Sequence, residues 1–197
     1  IINAQTKRYH AANDYFVKAI ASDPSRADFY SNYGNALWEQ ERIEDALRYC
    51  QQALTLDPSR AETHNILGNV FLSQNRLKEA ATSLRKALEL SPDYLHALNN
   101  LGNVLQKMGQ AEEAVVCYRN ALDLHEGYSE AHNNLGQALK RLGRIDEARN
   151  HFQRAVELQP NFHKAIRNCS EVALEWSKPL EGKHLSLCRY QAKDAEY

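Results

Sequence analysis

The sequence has 197 residues, and its 24 lysines and arginines are balanced by 25 aspartates and glutamates, so the formal net charge is −1. This balance argues against a nucleic-acid-binding protein with a basic surface, and no apolar run approaches the roughly 18 residues needed to cross a bilayer. We therefore predict neither a nucleic-acid nor a membrane partner. The spacing of the four cysteines fits neither a disulfide framework nor a zinc site, which favours the reducing cytoplasm.

Small residues and prolines recur along the chain with a period of 34 residues. Such a period is typical of repeated helix pairs, which must stack on their neighbours to bury an apolar face. Glycine inside a helix costs about 1 kcal/mol relative to alanine, and this cost is offset where two helix backbones approach closely. Proline after a second helix prevents its continuation. The glycines are Gly34, Gly68, Gly102 and Gly136, the alanine columns start at Ala12 and Ala19, and the prolines are Pro24, Pro58, Pro92 and Pro160.

The order of these columns resembles the tetratricopeptide repeat (TPR) family, in which Leu-Gly is followed by a bulky residue, alanine, a second bulky residue, alanine and proline. One repeat shows this order as Leu67-Gly68, Phe71, Ala80, Leu84, Ala87 and Pro92, and the next departs from it only where Glu126 replaces the proline. The resemblance implies an all-α fold, a right-handed superhelical solenoid of antiparallel helix pairs. It also implies that the first helices of the pairs line a concave groove.

In chain order, residues 1–26 match only the second-helix half of a repeat, so we expect a truncated repeat at the start of a fragment. Four full repeats are predicted at 27–60, 61–94, 95–128 and 129–162. Residues 163–177 are expected to form a terminal capping helix. In the truncated repeat, Tyr9, Phe16 and Ile20 are expected to lack their partner helix, which leaves homo-association through this repeat open as a function.

The tail at 178–197 breaks the period and suggests the start of another domain. Residues 184–190 alternate in polarity as a β-strand does, and Asp194-Ala195 would then open a helix. With Leu185-x-Leu187, this segment resembles the opening of the ribosomal-protein-type N-acetyltransferases. The resemblance implies an acetyl-coenzyme A site further along a longer chain. A substrate-targeting arm of a transferase is therefore an alternative function.

Amide side chains recur at two phases of the predicted first helices, although asparagine is a poor helix former. Residues four apart share a helix face, so the two columns are expected to form one stripe on the groove. Because an amide both donates and accepts hydrogen bonds, such a stripe can hold the backbone of an extended peptide while reading little of its sequence. The first column is Ser31, Asn65, Asn99 and Asn133, and the second column is Asn35, Asn69, Asn103 and Gln137.

This stripe resembles the asparagine ladder in the repeat region of O-linked N-acetylglucosamine transferase, so a glycosyltransferase arm is another form of the transferase alternative. Trp38 is predicted to anchor an apolar side chain of the peptide, and Lys140 to belong to a basic rim. The basic residues with which chaperone-binding TPR domains grip a terminal carboxylate are missing, since Asp28 and Glu62 stand at the corresponding edge. A structural role for the amides, between adjacent repeats or facing water, is the competing interpretation.

Outside the stripe, no nucleophile–base pair, phosphate loop or paired-carboxylate site stands out from the helical surface charges. No histidine pair has ligand spacing together with a carboxylate, and His64 and His132 occupy a bulky packing column. We therefore predict no enzyme activity for this segment, no cofactor and no metal. The predicted function is a protein-interaction scaffold that binds a peptide or partner segment in its groove.

Overall fold

The computed structural model describes residues 2–175, and every regular element in that part of the chain is an α-helix. This confirms the all-α prediction, whereas the predicted strand at 184–190 and the transferase-like tail lie outside the described residues. The helices are α1 (Ile2–Ser22), α2 (Ala27–Glu39), α3 (Ile43–Leu56), α4 (Ala61–Ser73), α5 (Leu77–Leu90), α6 (Leu95–Lys107), α7 (Ala111–Leu124), α8 (Ser129–Arg141), α9 (Ile145–Leu158) and α10 (His163–Glu175).

The chain divides into two compact units, residues 1–101 and 102–197. In the first unit, α2 packs on α3 and α4 on α5, while α1 packs on α2. In the second unit, α8 packs on α9, α7 on α8 and α10 on α9. Each pair is joined by a short turn, as expected for antiparallel neighbours. The pairs α2–α3, α4–α5 and α8–α9 are therefore helix pairs of the kind that the 34-residue period predicts.

The glycine column marks the tightest contact within each helix pair. A β-carbon added to Gly68 would lie 2.5 Å from Cγ of Leu84, and one added to Gly136 would lie 2.7 Å from the ring of Phe152. Both distances are too short for carbon atoms in van der Waals contact. The close approach predicted from the sequence is confirmed, because a bulky residue of the second helix fills the space left at the glycine.

Several second helices begin with a side-chain pair between the residue before the helix and the third residue of the helix. Arg144 Nε donates to Glu147 Oε1 at 2.6 Å, and Arg42 Nε donates to Asp45 Oδ2 at 3.0 Å. The carboxylates lie in the first turn, where the helix dipole also favours negative charge. Because these pairs are exposed, water screens them and each adds little to the stability of the fold. Their main effect is to fix the helix start at the turn.

The apolar face of α1 packs against α2. The ring of Phe16 stacks on Tyr33 with centroids 5.2 Å apart, and Ile20 packs against the same buried cluster. Phe16 and Ile20 therefore pack against the first helix of the next repeat, and the expectation that they lack the first helix of their own repeat stays a prediction. Tyr15 is instead the exposed aromatic residue of α1, with 81% of its surface accessible. Homo-association through residues 1–26 stays a prediction.

Candidate functional site

The first amide column is buried inside the units. Ser31 is 2% exposed, Asn65 7%, Asn99 1% and Asn133 0%, although all four residues stand on first helices. Polar groups at such depth need hydrogen-bond partners within the protein. The stripe predicted from the sequence is therefore divided, with its first column beneath the surface.

Hydrogen bonds of the first column connect the first helix of one repeat with the first helix of the next. Within the first unit, Asn100 Nδ2 donates to Asn65 Oδ1 at 2.9 Å. Within the second unit, Asn168 Nδ2 donates to Asn133 Oδ1 at 2.7 Å, and Asn133 Nδ2 donates to Asn134 Oδ1 at 3.2 Å. These bonds have the geometry of the competing structural interpretation, and a role of the first column in peptide contact stays a prediction.

The second amide column is half-buried and keeps part of its hydrogen-bonding capacity. Asn35 Nδ2 donates to Glu39 Oε1 at 3.0 Å, and Asn103 Oδ1 accepts a 2.8 Å bond from the hydroxyl of Tyr118. The side-chain amides of Asn69 and Gln137 form no hydrogen bond with any described residue, and Nε2 of Gln137 is itself buried. The second column is therefore the part of the stripe whose amides the protein does not fully use.

Trp38 stands at the end of α2 and is held by α4. Its indole Nε1 donates a 3.0 Å hydrogen bond to Oγ of Ser73. The ring borders a cavity of about 630 Å³ in the first unit, whose other lining residues include Glu39, Glu41 and Ile43. Trp38, predicted from the sequence as an aromatic anchor, thus lines a cavity together with carboxylates that the repeat columns do not reveal.

Lys140 stands at the end of α8 and borders a second cavity, of about 430 Å³, inside the second unit. Its ammonium nitrogen lies 3.6 Å from Oε2 of Glu171, and neighbouring Arg141 donates to the carbonyl oxygen of Gln106 at 2.9 Å. Gln137 lines the same cavity. Lys140 and Arg141 thus each contact a neighbouring acceptor, and a basic rim that orients a peptide stays a prediction.

Two buried or half-buried polar pairs, one in each unit, were not predicted from the sequence. Thr63 Oγ1 donates to Ser31 Oγ at 2.8 Å across two first helices, and Nδ1 of His132 lies 2.9 Å from Nδ1 of His151. Thr63 and His151 do not recur at the equivalent positions of the other repeats, so the period does not indicate these pairs. His132 does pack in the bulky column as predicted, but it also carries a hydrogen-bonded partner.

Among the described residues, no three or more histidine, cysteine, aspartate or glutamate side chains are grouped as a metal site would need. No described helix has the length and apolarity required to span a membrane. Burial raises the pKa of the Cys50 thiol to about 12, so this thiol is neutral and packs as a small apolar side chain.

The paired helices and their glycine contacts define a helical-repeat protein. Models of the tetratricopeptide repeat match residues 93–161 and 4–61, and a TPR repeat model matches residues 68–109. The solved structure of YrrB, described as a TPR protein with an unusual peptide-binding site, is 30% identical, with a TM-score of 0.69 and coverage of 92% of both chains. The chain therefore belongs to the tetratricopeptide repeat family.

Two further solved structures share the fold at lower identity. TTC0263, a thermophilic TPR protein in Thermus thermophilus, is 20% identical with a TM-score of 0.73, covering 87% of this chain and 93% of its own. MamA is 24% identical with a TM-score of 0.69, covering 80% of this chain and 92% of its own. No curated protein matches the chain.

Proposed function

We propose that this chain is a protein-interaction scaffold that binds an extended peptide segment of a partner protein through its second amide column. The observation that carries the proposal is the unused hydrogen-bonding capacity of the half-buried Asn69 in the first unit, while Gln137 in the second unit offers only its oxygen because its Nε2 is buried. An amide that pairs with a peptide C=O and N–H would hold main chain of any sequence. The similarity to YrrB, whose structure is described by its peptide-binding site, supports the same kind of ligand.

The energetics are compatible with a reversible interaction. A neutral hydrogen bond contributes roughly 0.5–1.5 kcal/mol after exchange with water. Several such bonds, reduced by the cost of ordering the peptide, would support an affinity of about a micromolar, or ~8 kcal/mol. A pre-formed helix scaffold adds little ordering cost of its own.

The test begins with peptides of about 15 residues selected against the intact chain from a random displayed library. The affinity of a selected peptide is then compared between the natural chain and the variants Asn69→Ala and Gln137→Ala. We expect at least one of these variants to weaken binding about tenfold, which corresponds to roughly 1.4 kcal/mol.

Matched controls come from the second helices. Asn120 on α7 and Asn150 on α9 are exposed asparagines, so Asn120→Ala and Asn150→Ala delete the same chemical group away from the first helices. The controls should bind as the natural chain does. If Asn69→Ala and Gln137→Ala also bind normally, the second column does not carry the interaction and the proposal fails.

A further inference from the structure

The cavity beside Trp38 has an aromatic wall with a fixed orientation. The indole Nε1 donates to Oγ of Ser73, and that hydroxyl in turn donates to the backbone carbonyl oxygen of Asn69, each at 3.0 Å. This chain of two hydrogen bonds joins the end of α2 to the end of α4. The ring is therefore held in place, and the cavity of about 630 Å³ lies against it.

Two carboxylates line the same cavity without a compensating charge. Glu39 and Glu41 are exposed, and neither forms an ion pair with a described residue. Arg42, which follows Glu41 in the chain, is engaged by Asp45. The carboxylates therefore give the cavity, which the Trp38 ring also lines, a local excess of negative charge.

Glu41 lies at a turn position whose backbone conformation is unfavourable for glutamate. Its φ is 60°, in the left-handed region, and the equivalent residues of the later turns are Asn75 at 58°, Gly109 at 82° and Gly143 at 74°. Asparagine and glycine adopt this region with little cost, whereas a longer side chain is uncommon there. The Glu41 carboxylate is therefore placed at the cavity although its backbone conformation costs the turn some stability.

We propose that this cavity binds a cationic side chain, arginine or lysine, of the partner segment. A cation is attracted to the face of tryptophan and gains further from nearby carboxylates, while its aliphatic stem can lie along Ile43. The ring and the carboxylates both attract the same positive charge, and a neutral side chain would gain neither attraction. This inference rests on the proposed function, because it names the chemistry of one side chain in the peptide that the scaffold would bind.

The test uses a probe that needs no other part of the scaffold. N-acetyl-arginine amide is titrated into the intact chain carrying Trp176→Phe, so that the fluorescence change reports Trp38. N-acetyl-citrulline amide, which has nearly the same shape without the charge, is the matched ligand. We expect a saturable change with the arginine probe and at least tenfold weaker binding of the citrulline probe. Equal responses to the two probes would overturn the proposal.

A second arm varies the protein. Glu39→Gln with Glu41→Gln should weaken the arginine probe about tenfold, while Glu62→Gln, an exposed carboxylate on α4 that does not line the cavity, should leave it unchanged. Glu41→Gly should weaken the probe and raise the melting temperature, because glycine suits the left-handed turn better. Undiminished affinity in the double variant contradicts the assignment.

The two proposals can fail independently. If selected peptides ignore Asn69→Ala and Gln137→Ala while the arginine probe still discriminates against citrulline, the amide proposal is lost and the cation pocket stands. If the peptides depend on those amides but the probes are not distinguished, the scaffold stands and the pocket is lost. Where the arginine probe does discriminate against citrulline, a lysine probe, N-acetyl-lysine amide, shows which of the two cations the pocket prefers.

Discussion

His132 and His151 face each other with their Nδ1 atoms 2.9 Å apart, and their rings stack with centroids separated by 5.2 Å. Nε2 of His132 lies 2.9 Å from the carbonyl oxygen of Glu126. A carbonyl oxygen only accepts, so Nε2 of His132 carries a proton and its Nδ1 accepts from the Nδ1–H of His151. This arrangement needs the His132 imidazole to be neutral, because its Nδ1 must keep the lone pair that accepts the hydrogen bond.

Acid should therefore destabilise the second unit through this pair. Burial lowers the pKa of His132, and burial together with the charge on His132 lowers the pKa of His151 to about 4. Because the folded pKa of His151 lies below its ordinary value of 6.5, protonation favours the unfolded chain. The stabilisation is complete above pH ~6.5 and is lost progressively towards pH ~4, by about 2 kcal/mol.

Urea denaturation at several pH values between about 7 and 4 checks this dependence. His151→Gln should flatten the fall in the free energy of unfolding over that interval, and His125→Gln, at an exposed position, should not. An unchanged slope in His151→Gln would show that other groups cause the acid sensitivity.

The glycine contacts predict an unusual outcome for a helical Gly→Ala substitution. Alanine at Gly136 would gain about 1 kcal/mol of helix propensity, but its β-carbon would lie 2.7 Å from the Phe152 ring. Overpacking of a tight core typically costs about 1–3 kcal/mol, so we expect a net loss of roughly 1 kcal/mol. Chemical denaturation measures it, with Gly127→Ala as the control, where the added β-carbon would lie 3.1 Å from the exposed ring of His125, which can move aside.

A compensating substitution tests the cause of that loss. Leucine at position 152 is smaller than phenylalanine, so Phe152→Leu combined with Gly136→Ala should be more stable than the sum of the two single effects. If the stability changes of the two single variants simply add in the double variant, a clash between positions 136 and 152 is not the cause of the loss in Gly136→Ala.

Alanine substitutions at Asn133 and Asn69 should differ in their effect on stability, although the sequence presents the two residues as members of one stripe. Asn133→Ala removes a fully buried amide bonded to Asn134 and Asn168, which leaves both partners short of a bond and should cost about 2–3 kcal/mol. Asn69→Ala breaks no side-chain hydrogen bond and should change stability by less than ~0.5 kcal/mol. Thermal and urea denaturation of the two variants give the comparison, and equal losses would contradict the assigned difference.

The buried hydroxyl pair of Ser31 and Thr63 gives a double-mutant prediction. The two oxygens lie 2.8 Å apart, and both residues are almost inaccessible to solvent. Thr63→Val alone should cost about 1–2 kcal/mol, because the Ser31 hydroxyl then lacks its partner. Adding Ser31→Ala should recover much of this loss, since both polar groups are gone. If the double variant is as unstable as the sum of the singles, the pair is not coupled.

The repeat period predicts the helix pairs and the glycine contacts because each depends on residues of one hairpin, as Gly68 and Leu84 show. It does not separate the two amide columns. Asn65 and Asn69 share a helix face and look equivalent in the sequence, but Asn65 is covered where the next first helix supplies Asn100 as a partner. Burial between helices depends on how successive repeats pack, which periodicity alone does not specify. Phe16 likewise packs on Tyr33 of the next repeat, a contact between repeats that the period does not specify.

The contact between each glycine and its bulky counterpart is closed within a single hairpin, as Gly68 and Leu84 illustrate. A duplication or deletion of one whole 34-residue repeat would therefore keep these contacts intact, whereas an insertion or deletion between a glycine and its counterpart would shift the two residues out of register. Lineages descended from such a gene are free to lengthen or shorten the array by unequal recombination, and they can do so without re-evolving the interior of any hairpin.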